Sequence, residues 1–166
     1  TGSSVTVSLK IENQKAAQGI TVTKRIAKED IRFTDRKFDG EPCSVFMFRV
    51  QNMRNEADYY NFPLFITQDI INSSEGEYVE VSATIPLEEF GEYLVTEQPK
   101  IGYKPTGVEC EQLLESWDDN NFIVYVEEQL LTRITFINTA SPTNKAVSGA
   151  ATVNYFDYKN ATTGQK

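Results

Sequence analysis

Three stretches of this chain alternate with a period of two, and in each the apolar row runs into a polar group. Within residues 92–97 the row is Tyr93, Val95 and Glu97. Within residues 20–26 Val22 shares its face with Lys24. Within residues 134–139 the row is Ile134, Phe136 and Asn138. Strand side chains point alternately to the two faces of a sheet, so each row faces one way. A row of aromatic and β-branched residues faces a core, and it takes its polar member in with it. Burying an unpaired charge is costly. A fold that accepts these rows therefore has to find partners for a buried glutamate and a buried lysine.

Further rows fill the chain. Residues 5–13 (VTVSLKIEN) and 78–85 (YVEVSATI) alternate cleanly. Residues 43–51 (CSVFMFRVQ) form a strand with Phe46, Phe48 and Val50 expected toward the core. Residues 64–71, 122–126, 130–138 and 153–158 read as additional strands. Polar residues 52–61 read as a loop, 87–90 as one helical turn, and 106–121 as an insertion with a short helix at 111–117. Residues 141–149 have linker composition. Many short strands with turn signals between them predict an all-β, antiparallel Greek-key sandwich. The expected division is a flanking strand and linker over 1–18, a sandwich domain over 19–140, and a linker with a C-terminal flanking strand over 141–166.

Composition narrows the function. The net charge of −8 argues against nucleic acid as a partner, because phosphate binding needs clustered cations. The chain has no histidine, which removes Ser-His-Asp and Cys-His catalysis. No metal or cofactor is expected. No run of about 18 apolar residues is present, so no membrane span is expected. Cys43 and Cys110 match no zinc spacing. In a secreted protein they allow a disulfide, and two separate thiols is the other reading.

Residues 92–105 (EYLVTEQPKIGYKP) resemble the Y-x-V-x-E-x-x-x-P-x-G-Y signature of Cna B-type domains, modules of pilins and adhesins of Gram-positive bacteria. The family's proline before the glycine-tyrosine pair is replaced by Ile101, and Pro99 stands two places earlier. The family pairs its glutamate with a lysine on the first strand and an asparagine on the last. Lys24, Glu97 and Asn138 occupy those places in that chain order, and the resemblance covers roughly residues 19–140. It implies an immunoglobulin-like or transthyretin-like sandwich and an amide bond between the Lys24 and Asn138 side chains. Glu97 would act as the acid that assists its formation.

The chemistry is consistent with burial. A lysine attacks a carboxamide only as the neutral amine, and an apolar core pushes its pKa down while pushing a carboxyl up. The implied function is a structural module on the cell wall or pilus surface, next to neighbouring modules or pilin subunits of the same surface protein. It would have no turnover beyond its own crosslink. A related reading is an adhesin that binds host protein or glycan through inserted loops, with Trp117, Tyr59 and Tyr60 as contacts. A third is a secreted carboxylate-dependent glycosidase.

Overall fold

A computed structural model describes residues 17–33 and 37–141. The expected flanking strands at 5–13 and 153–158 and the linker at 142–149 lie outside the described residues. Ten strands are present among those described: β1 (Gly19–Ala27), β2 (Lys37–Phe38), β3 (Glu41–Asn52), β4 (Asn55–Thr67), β5 (Tyr78–Pro86), β6 (Gly91–Glu97), β7 (Tyr103–Glu109), β8 (Leu113–Ser116), β9 (Asn121–Val126) and β10 (Leu131–Ala140). A short helix, α1 (Gln68–Ser73), and a 3-10 turn (Lys28–Asp30) complete them.

The strands form two sheets. One has the order β5-β1-β10-β7. In the other, β3 pairs with β4 on one side and continues through β6 and β9 to β8, with β2 paired to the start of β3. Their inner faces share one apolar core, including Ile20, Val22 and Phe136 from the first sheet and Phe46, Phe48, Val95 and Val124 from the second. The molecule is thus an all-β sandwich.

One pairing departs from the antiparallel expectation. β1 and β10 run parallel, with Lys24 opposite Phe136 and Ile26 opposite Asn138. Parallel neighbours need a long connection, and here the rest of the sandwich supplies it. The consequence is that Gly19, where β1 begins, and Ala140, where β10 ends, lie at opposite ends of the module.

Four local expectations are corrected. Residues 52–61 are not a loop but the turn and first half of β4. Among the described residues β4 pairs only with β3, so its polar start faces solvent and needs no strict alternation; an outer strand also tolerates Pro63. Asn52 holds the turn by accepting the Arg54 amide at 2.9 Å. The strand expected over 64–71 stops at Thr67, whose hydroxyl accepts the Ile70 amide at 3.3 Å and caps α1. Residues 111–117 are not helical: 113–116 form β8, an exposed outer strand on β9. Residues 87–90 form no helical turn; only Glu88 and Glu89 bend the chain.

Gly19 is required by a close approach. A Cβ there would lie 2.2 Å from the Ile85 carbonyl oxygen on β5. Backbone cannot move aside as a side-chain tip can, so Gly19→Ala is expected to separate the start of β1 from β5. The expected loss is about 1–3 kcal/mol, the usual cost of overpacking. Urea unfolding checks it, and an unchanged midpoint would refute the stated contact.

Candidate functional site

The three polar residues on apolar rows converge. Lys24 follows Ile20 and Val22 on the inner face of β1, and all three are fully buried. Glu97 ends β6 behind Tyr93 and Val95, in register with Phe48 of β3, and it is 1% exposed. Asn138 follows Ile134 and Phe136 on β10 and is also buried. The parallel register puts Lys24 and Asn138 on adjacent strands of one sheet, on one face, two residues apart. Glu97 reaches them from the opposite sheet.

Lys24 Nζ donates to Glu97 Oε2 at 2.6 Å across the core. Aromatic rings surround the pair. Lys24 Nζ lies 4.7 Å from the Phe46 ring centroid. Phe136 packs on Phe48 and Phe122 at 5.2 and 5.5 Å between centroids. Water has little access, and the titration of both groups reflects that. Burial pulls the Lys24 amine down to about 8, against the opposing pull of Glu97. Burial likewise pushes the Glu97 carboxyl up, opposed by Lys24 and by a hydrogen bond from Asn138. Both shifts favour the neutral forms.

Among the described residues no donor reaches two buried acceptors at this site, Glu97 Oε1 and Asn138 Oδ1. Buried acceptors are seldom left this way. A proton on Glu97 would add a donor where the ionised cluster has too few.

No family model, curated protein or solved structure matches the chain. The site therefore has to be read from its own geometry. Among the described residues Glu97 is the only buried carboxylate, and its partner is an amine rather than a second carboxylate. No helix among them is long and apolar enough to cross a membrane.

The other expected site residues are not brought together. Cys43 packs with Val45 and Met47 on the outer face of β3. Cys110, just past β7, packs against the main core, and the two cysteines do not bridge each other. Tyr59 and Tyr60 lie on β4 at one edge of their sheet, with the Arg49 guanidinium 4.5 Å from the Tyr59 ring centroid. Trp117 follows β8 at the opposite edge and is 52% exposed.

Tyr103 has a role that its place in the signature does not reveal. Its hydroxyl donates to Asp30 O at 2.9 Å and accepts from Arg32 N at 2.8 Å. It thereby ties β7 to the segment after β1, beside the Phe46 ring.

Proposed function

We propose that this chain is a structural module of a Gram-positive cell-surface pilin or adhesin, strengthened by a self-made Lys24–Asn138 isopeptide bond. The observation that carries the reading is the buried Lys24–Glu97 contact at 2.6 Å, with Asn138 on the adjacent strand and the same face. The pattern of Glu97, Gly102 and Tyr103, with its resemblance to Cna B-type domains, supports the same conclusion.

The reaction balances with no outside reagent. Proton transfer from Lys24 to Glu97 leaves a neutral amine and a carboxylic acid. The acid hydrogen-bonds the Asn138 side-chain carbonyl and polarises it. Lys24 Nζ attacks Asn138 Cγ, a new C–N bond forms, and the old C–N bond breaks. The departing nitrogen takes two protons through Glu97, the one first given up by Lys24 and one from the attacking nitrogen, and leaves as ammonium; Glu97 ends as the carboxylate it began as, and the protein is lighter by the elements of ammonia. The fold holds nucleophile and electrophile together, which makes the attack effectively unimolecular.

The parallel pairing gives the bond mechanical meaning. Tension entering at Gly19 would pass along β1 to Lys24, cross to Asn138 and leave at Ala140. The remainder of the sandwich would carry none of it. Neighbouring modules or subunits of the same surface protein are the partners this implies. Ligand binding through Trp117, Tyr59 and Tyr60 has weaker support, since these aromatics do not share a surface.

Intact mass spectrometry of the folded protein tests the reading. The expected mass is that of the sequence less one ammonia, and a tryptic digest contains a branched peptide joining β1 to β10. A folded protein at full sequence mass would leave only a buried polar cluster.

A further inference from the structure

β8 (Leu113–Ser116) ends the run of strands in its sheet. Toward β9 its backbone is satisfied: Leu113 stands opposite Val124 and Glu115 opposite Ile123, with an irregular step between them at Leu114. Just outside the strand, Gln112 O accepts the Tyr125 amide at 3.0 Å, and the Trp117 amide donates to Asn121 O at 2.9 Å. On its other side no strand is paired to β8 among the described residues. A strand so placed presents a row of free N–H and C=O groups, which an extended chain can join. Every residue from 113 to 119 is exposed, with Leu114 at 53% and Trp117 at 52%. Two large apolar side chains standing in water beside open backbone give a partner area to bury.

Charge determines what that partner is. From residue 105 to residue 132 the chain holds seven carboxylates and no lysine or arginine. Glu109 is paired, with Arg25. Glu111, Glu115, Asp118 and Asp119 lie on or beside β8, and none of them meets a cation among the described residues. Asp118 accepts the Asn120 amide at 2.7 Å, which shapes the turn after Trp117 and holds its carboxyl below the ordinary value. The same edge of a second copy would set its carboxylates against these, and like charges directly opposite destabilise a strand pair. The acids therefore oppose self-pairing and favour a strand of the other sign.

We propose that the β8 edge is a docking site for an extended, cationic segment of another protein, one that alternates lysine or arginine with apolar residues. Its backbone would add a strand beyond β8. Its apolar side chains would cover Leu114 and Trp117, and its cations would meet Glu111 and Glu115. Trp117 serves this site without Tyr59 and Tyr60, which lie at the far edge of the sheet. The site is independent of the Lys24–Asn138 chemistry.

The chain has one tryptophan, so Trp117 emission reports the site directly. The full chain is titrated with a short synthetic peptide that alternates lysine and valine. The expected result is saturable binding, a blue shift of Trp117 emission, and loss of affinity as salt is raised. Joint Glu111→Lys and Glu115→Lys substitution should weaken binding about tenfold. Joint Glu75→Lys and Glu77→Lys substitution changes net charge equally, ahead of β5 at the opposite edge of the other sheet, and should leave affinity unchanged. The same peptide with alternate amides N-methylated cannot pair as a strand and should not bind. Equal losses in the two charge variants would reduce the effect to net charge and overturn the proposal. Undiminished binding of the methylated peptide overturns strand addition. Trp117 emission already blue-shifted before peptide is added, or dimers in sedimentation of the chain alone that lose that shift on dilution, would assign the edge to another occupant.

Discussion

Glu97→Ala yields a chain at full sequence mass and the least stable variant of the site. Two effects combine. The proton carrier is gone, so Lys24 and Asn138 remain unlinked. Lys24 is also left fully buried, facing no carboxylate. Removing one partner of a buried pair typically costs about 3–5 kcal/mol, because the remaining charge is uncompensated. Lys24→Met also abolishes the bond and leaves Glu97 buried without its amine, but neutralising a carboxyl at pH 7 costs less than neutralising an amine, so it should unfold at higher denaturant than Glu97→Ala. Intact mass and urea unfolding check both variants. A branched β1–β10 peptide in the Glu97→Ala digest would remove Glu97 from the chemistry while leaving the crosslink itself.

Asn138→Ala isolates the contribution of the bond. It keeps the Lys24–Glu97 contact and removes the electrophile. The crosslink would close a loop of roughly 115 residues, from Lys24 to Asn138. Restricting the unfolded chain over such a loop is worth about 5 kcal/mol, or on the order of 15–20 °C in melting temperature for a chain of this size. A variant that melts with the parent would show that no such constraint exists.

The same variant carries a pH signature. Lys24 falls from its ordinary 10.5 to about 8 on folding. Between those values the unfolded chain binds more protons, so stability rises with pH across that window, by up to on the order of 3 kcal/mol. Glu97 acts with the opposite sign. Its folded pKa is raised above 4.5, so its contribution declines as pH climbs upward from that value. Urea unfolding from pH 4 to 10 reads both limbs. A flat profile between pH 8 and 10 would contradict a desolvated amine.

Much of the site is legible in the residue pattern. The rows Tyr93-Val95-Glu97, Val22-Lys24 and Ile134-Phe136-Asn138 face inward as their alternation requires. Alternation works because it is local: a strand's geometry commits every second residue to one face. Phe46, Phe48 and Val50 follow the same rule. The rule fails where, among the described residues, only one side of a strand is paired, over residues 55–61 and 113–116, because solvent accepts either pattern. It also fails at Thr67, where a cap overrides an apolar run.

The order of residues along each strand sets which side chains face inward, and so which polar groups enter the core. It does not set which strands become neighbours. Assembly of the sandwich laid β1 and β10 side by side in parallel, with Lys24 two residues from Asn138. It placed Glu97 2.6 Å from Lys24 across the core and Lys100 on the Phe46 ring that Lys24 also touches. It also sent Cys43 and Cys110 to different apolar clusters and the candidate aromatics to opposite edges. The reason is physical. A side chain's face depends on its neighbours along the strand, whereas strand pairing is a choice among distant segments settled by burying all the rows at once.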